Sequence, residues 1–112
     1  MNDEVAGETT VCMVLTTMPD EAQAEALARQ IVVAGLGACV QVQPIKSFYL
    51  WKDEACCTPE WRLSIKTLNV QYARLEEFIR ARHSYETPEI VRVPIEAGSE
   101  DYLQWVAAGS AG

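Results

Sequence analysis

The 112-residue chain reads as an α+β domain of the ferredoxin-like type, β-α-β-β-α-β with an extra C-terminal helix. Three observations predict it. The hydrophobic period switches between strand-like and helix-like segments in that order. With right-handed crossovers, the order closes into a four-stranded antiparallel sheet carrying two helices on one face. The length is that of one domain, and no internal repeat, interior linker or low-complexity tract divides it. The domain is placed at residues 10–107, with flexible tails at 1–9 and 108–112.

Residues 10–17 are β-branched and apolar, which predicts a buried first strand that Pro19-Asp20 stops. Asp20 is positioned to cap a helix, with Gln23 completing a partial capping box. Ala24, Leu27, Ala28, Ile31 and Ala34 follow at helical spacing, and Gly35 and Gly37 end the helix. Residues 38–51 alternate as a long second strand, in which Pro44 predicts a bulge or an edge position. A turn over Lys52 to Pro59 leads to a third strand at 60–67, with Trp61, Leu63, Ile65 and Thr67 on one face. Asn69 is read as the cap of a second helix carrying Tyr72, Leu75, Phe78, Ile79 and Arg82. Pro88 introduces a fourth strand from Ile90 to Ile95, and Ser99 caps a last helix holding Tyr102, Leu103, Trp105 and Val106.

Strand two is far longer than the usual five or six residues, so its hairpin with strand three overhangs a domain of this size. Phe48, Tyr49, Trp51 and Trp61 lie on that hairpin. An aromatic overhang in water is a poor solution for a lone chain, and these four residues are read as an interface in a closed homo-oligomer.

Sixteen acidic against nine basic residues give a formal charge of −7, the wrong sign for a nucleic-acid footprint or an anionic membrane patch. No run reaches the roughly 18–20 apolar residues of a membrane span, and no signal-peptide core follows the acidic start, so a cytoplasmic location is expected. Cys12, Cys39, Cys56 and Cys57 show no CxxC spacing, which argues against a zinc ribbon. Cys12 and Cys39 read as buried thiols, whereas Cys56 and Cys57 lie in a polar stretch at the tip of the loop.

No matched acid, base and nucleophile stand out, and neither a nucleophile elbow nor a Gly-rich phosphate loop is present, so the chain does not read as an enzyme. The single histidine, His83, ends the second helix. It is either a cation favoured by the helix dipole or a metal ligand helped by Glu86 and Glu89. Lys66 is either a solvated lysine or a group that meets an anion in a cleft, and Tyr85, Tyr102 and Trp105 either pack the last helix or line such a cleft.

Five segments occur in order: Ala38-Cys39-Val40, Ser47-Phe48-Tyr49-Leu50-Trp51, Lys66-Thr67, His83 to Ile90, and Tyr102-Leu103-Gln104-Trp105. With Thr16 to Glu21 before them, they resemble the CutA family of divalent-cation tolerance proteins over about residues 10–106. The resemblance implies a ferredoxin-like subunit, a tight homotrimer joined by strand contacts, a link to tolerance of copper and other divalent metals, and an architecture similar to the PII signalling trimers. Some bacterial relatives carry a cysteine after the first strand and two adjacent histidines; here those positions hold Thr16 and Arg82-His83. Two functions are therefore carried forward. In the first, a non-catalytic homotrimer binds copper or another divalent cation weakly through His83, Glu86 and Glu89, with the vicinal thiols Cys56 and Cys57. In the second, a PII-like signalling or scaffold trimer takes a small ligand or a partner protein in inter-subunit clefts formed by Cys39, Lys66, Tyr85, Thr87, Tyr102 and Trp105, with Glu89 beside them.

Overall fold

The computed structural model describes residues 10–112; the predicted N-terminal tail, 1–9, lies outside them. The order is β1 (Val11–Met18), α1 (Glu21–Val33), β2 (Cys39–Trp51), β3 (Glu54–Leu68), a 3-10 turn (Asn69–Gln71), α2 (Tyr72–Arg82), β4 (Ile90–Pro94) and α3 (Glu100–Gly109). The strands form one antiparallel sheet in the order β2-β3-β1-β4. That is the expected β-α-β-β-α-β arrangement with its additional helix.

Alternation along the strands sorts the sheet into two faces. Cys12 and Val14 of β1, Leu63 and Ile65 of β3, and Val40 and Val42 of β2 meet Leu27 and Ile31 of α1 and Leu75 and Ile79 of α2 in the core. The cap that starts α1 is the predicted one: Asp20 Oδ1 accepts from the Gln23 N–H at 2.8 Å. Gln23 also donates its side-chain amide to Asp20 Oδ2 at 2.7 Å, so both carboxylate oxygens are used. Gly35 ends the helix at φ +73°, and a Cβ there would also approach Gly112 to 2.6 Å.

Along the opposite face run Met13, Leu15 and Thr17 of β1 and Glu54, Cys56, Thr58, Glu60, Arg62, Ser64 and Lys66 of β3. Only α3 lies on it, at one end, where Lys66 meets Tyr102. The rest of this face carries no helix among the described residues.

Three expectations are corrected. The predicted loop from Lys52 to Pro59 does not exist. β2 and β3 are joined by Lys52-Asp53 alone, at φ 50° and 68°, the two-residue turn with positive φ that matches strand twist. Cys56 and Cys57 therefore sit in β3, opposite Tyr49 and Phe48. Pro44, expected at a bulge or an edge, takes the edge position, paired in register with Trp61. Helix α2 is entered through the 3-10 turn, and its cap position is Gln71 rather than Asn69. The chain from residue 108, expected to be loose, is tied in. Ser110 is buried, its carbonyl accepts from Gln71 Nε2 at 2.9 Å, and the Gly112 N–H donates to Gly35 O at 3.0 Å.

The hairpin is the feature that sets this molecule's shape, which measures 51 × 27 × 21 Å. β1 stops at Met18, opposite Trp61, so the seven strand pairs from Ile45↔Glu60 to Trp51↔Glu54 run beyond the four-stranded sheet. At about 3.3 Å per residue this is an arm of roughly 23 Å. Phe48 is 76% exposed, Leu50 74%, Trp51 63% and Tyr49 46%. Trp61 is different. It stands at the root of the arm and packs, partly buried, against the core.

Asp20→Ala deletes the cap of α1 and should lower stability in chemical denaturation by about 1 kcal/mol, whereas Asp20→Ser should recover most of it. Equal stability of Asp20→Ala and wild type would show that the cap contributes nothing to the fold.

Candidate functional site

The root of the arm carries a connected polar network. The segment after α2 returns across the end of β1, and His83 pins it there. His83 Nε2 lies 2.6 Å from the Thr17 carbonyl oxygen, and the Tyr85 N–H donates to His83 Nδ1 at 3.1 Å. The second bond makes Nδ1 an acceptor, so the hydrogen-bond pattern assigns the proton to Nε2, which donates to Thr17. Both imidazole nitrogens are thus engaged within the chain. The His83 and Tyr85 rings also lie against one another, with centroids 4.9 Å apart.

Tyr85, so placed, donates its phenol to Glu60 Oε2 at 2.9 Å, and Ser47 donates its hydroxyl to Glu60 Oε1 at 2.6 Å. Glu60 of β3 therefore joins β2 to the segment that precedes β4. Burial pushes the Tyr85 phenol up to about 12, and the hydrogen bond and negative charge of Glu60, with a smaller contribution from Tyr49, act in the same direction. A little further out, Tyr49 and Thr58 hydroxyls lie 2.7 Å apart. Ser47, Tyr49, Glu60 and Tyr85 line an open groove of about 850 Å³ that runs along the arm, whose wall also includes Thr17, Phe48, Trp51, Cys56, Thr87 and Glu89.

A second cluster lies at the far end of the same face. Lys66 Nζ donates to Gln41 Oε1 at 3.2 Å and to the Tyr102 hydroxyl at 3.4 Å. Tyr102 stacks on Trp105 at 5.8 Å, and Cys39 pairs with Lys66 across the strands. The six residues predicted for one cleft thus fall into two groups in a single chain: Tyr85 and Thr87 at the root of the arm, and Cys39, Lys66, Tyr102 and Trp105 under α3. Six residues of β3 separate Glu60 from Lys66, about 20 Å of strand.

The predicted metal set does not assemble. Among the described residues no group of three or more His, Cys, Asp or Glu side chains could hold one ion. Cys56 and Cys57 are adjacent in an extended strand and project to opposite faces, so they cannot chelate together. All four cysteines are free. Glu86 is exposed, Glu89 stands on the groove wall, and His83 has no nitrogen to give. Thr16, where some relatives have cysteine, is fully buried. Arg82 lies over the Phe78 ring at 3.5 Å. Within one chain, then, these residues do not fit a divalent or copper ion.

Glu60 and Ser47 are the network members that sequence reading missed. Ser47 was noted only as part of a segment, and no periodicity distinguishes Glu60 from any strand carboxylate. The signal was the outward position of Glu60 on β3, opposite the face of Trp61, Leu63 and Ile65.

Comparison with known proteins gives a consistent result. The family profile described as CutA1 divalent ion tolerance protein matches residues 12–109. The Divalent-cation tolerance protein CutA of Thermus thermophilus is 38% identical over 95 residues, 84% of this chain and 92% of that protein. The protein of the same name from Archaeoglobus fulgidus is 36% identical over 90 residues, 80% of this chain and 88% of its own length. The solved structure of the periplasmic divalent cation tolerance protein CutA from Archaeoglobus fulgidus superposes with a TM-score of 0.86 at 32% identity, covering 89% of this chain and 98% of that one.

Tyr85 should ionise late, near 12, when the phenolate absorbance is followed against pH. Its folded value lies above the unfolded one, so the stability it contributes is intact below pH 10 and is lost as pH rises through 12. Tyr85→Phe should remove the late step; a titration in which that step survives would show that the phenol is not held by Glu60.

Proposed function

The chain belongs to the CutA1 divalent ion tolerance family, and from that premise we propose that it works as a non-catalytic homotrimer in the response to divalent cations, copper among them. The observation that carries this reading is the arm. Seven strand pairs with exposed Phe48, Leu50, Trp51 and Tyr49 extend past the sheet, and a second copy of the chain offers an edge of the same length. The uncovered sheet face supports it. Arg62 Nε is buried there with no hydrogen-bond partner among the described residues, an unmet donor that costs free energy. The number three comes from the family; the geometry asks for copies.

Since one chain does not assemble a metal set, the cation is met where chains adjoin, by groups contributed from more than one of them. No helix among the described residues is long and apolar enough to cross a membrane, and the free thiols suit a cytoplasmic setting. A second reading, a PII-like signalling or scaffold trimer, is favoured by the groove itself. Its hydroxyls and carboxylate are fixed by mutual hydrogen bonds before any ligand arrives, as in a preformed small-molecule site.

Copper titration by calorimetry tests the first reading. Wild type and His83→Ala should give the same isotherm, because the imidazole is already engaged, and Trp51→Asp should abolish both assembly and saturable binding. Binding that disappears in assembled His83→Ala, or that persists in a monomeric Trp51→Asp, would overturn it.

A further inference from the structure

The stretch between α2 and β4 is held by side chains. Residues 84–87 are bends, and among the described residues no backbone-to-backbone hydrogen bond ties them down. Their ties are the Tyr85 N–H to His83 Nδ1 at 3.1 Å, the Tyr85 phenol to Glu60 Oε2 at 2.9 Å, and the Ser84 hydroxyl to Gln23 Oε1 at 3.4 Å. The first of these depends on a proton being absent.

An imidazole nitrogen accepts a hydrogen bond only while it carries no hydrogen. His83 Nε2 faces the Thr17 carbonyl oxygen, which accepts and cannot donate. His83 Nδ1 faces the Tyr85 N–H, which donates and cannot accept. The two partners together fit the neutral imidazole alone. A proton added at Nδ1 meets the Tyr85 N–H hydrogen against hydrogen. The Thr17 bond survives that change and gains from the positive charge, so the Tyr85 side gives way. Histidine is also the side chain whose charge ordinarily changes between about pH 5 and 8.

The surrounding charges do not change in that range. His83 closes the C-terminal end of α2, where the helix dipole favours a cation and Arg80 and Arg82 oppose one. β3 brings Glu60 and Arg62, the latter opposite Thr17, and the end of β1 from Thr16 to Met18 has no titratable side chain. The start of α1 brings Asp20 and Glu21, and the stretch itself Glu86 and Glu89. Carboxyls and guanidiniums ordinarily keep their charge down to about pH 5.5, and the Tyr85 phenol, near 12, stays a donor throughout.

We propose that His83 is a pH-sensitive latch: protonation at Nδ1 releases the Tyr85 N–H, and with it the phenol's hold on Glu60, while Nε2 keeps its bond to Thr17. The latch is fastened at neutral pH and opens as the pH falls through the imidazole titration. Opening frees residues 84–87 from the root of the arm and leaves Glu60 Oε2 free to accept from another group. All the bonds concerned lie within one chain, so the proposal stands apart from the assembly and from cation binding.

Amide hydrogen exchange followed by NMR on the wild-type protein tests it, at about pH 7.5 and about pH 5.5, with each rate corrected for intrinsic exchange at that pH. Protection of the Tyr85 N–H should fall about tenfold, the loss of one hydrogen bond. The fall should share its midpoint with the ring nitrogens of His83, and amides of β1 and β3 inside the sheet should keep their protection. His83→Gln retains a side-chain N–H for Thr17 and has nothing to titrate there. Its Tyr85 protection should be low and equal at both pH values. A Tyr85 amide whose protection holds while the imidazole titrates, an imidazole still neutral at the lower pH, or loss of protection across the whole sheet overturns the proposal from the wild type alone. A pH-dependent Tyr85 amide in His83→Gln overturns it equally.

Discussion

The rest of the molecule depends on one strand being longer than its sheet. β1 ends at Met18, but β2 and β3 continue as a two-stranded arm. A two-stranded ribbon is marginal in water, and this one exposes Phe48, Leu50 and Trp51. Burying those three side chains at about 2 kcal/mol each gives roughly 6 kcal/mol per chain. That only matches the lower end of the association cost, about 4–15 kcal/mol. The side chains of the arm are therefore not enough alone. In the proposed assembly the seam also recruits backbone edge bonds and the uncovered face of the sheet, where Met13 and Leu15 lie. Fold and proposed assembly are in this way one problem, because the groove runs along the arm itself.

The network at that root converts the arm from a loose ribbon into a fixed wall. His83 anchors the returning chain to β1 through Thr17. The same imidazole accepts the Tyr85 N–H and so aims Tyr85 at Glu60. Glu60 in turn holds Ser47 of β2. Four segments, β1, β2, β3 and the stretch after α2, are tied by four hydrogen bonds, each using an atom that then has less to offer a metal. The histidine that sequence reading offers as either a helix-end cation or a metal ligand thus acts as a positioning residue.

What was legible in the sequence was what local chemistry determines. β1 was found within one residue because its β-branched run is bounded by Pro19-Asp20, and the Asp20 cap because its partner is three residues away. The arm was visible in the alternation of β2. Its turn was not, because Lys52-Asp53 lacks the glycine or asparagine that advertises positive φ. Pro59, the end of the expected loop, lies inside β3. It is tolerated because β3 beyond Trp61 has lost its β1 neighbour and counts as an edge. Cys56 and Cys57, read as a pair on a loop, were separated by the pleat once that loop proved to be strand. Glu60 was invisible because Ser47 lies 13 residues from it and Tyr85 lies 25, and only the folded sheet brings them together. The loose C-terminal tail was misread from small residues that in fact pack closely against Gly35 and Gln71.

The most direct test of the central claim is the mass of the particle in solution at micromolar concentration, read by light scattering coupled to size exclusion. An arm covered by sibling chains predicts about 37 kDa, three times the 12.4 kDa of one chain. A folded 12.4 kDa particle would contradict it, for it would show that this ribbon is stable bare in water.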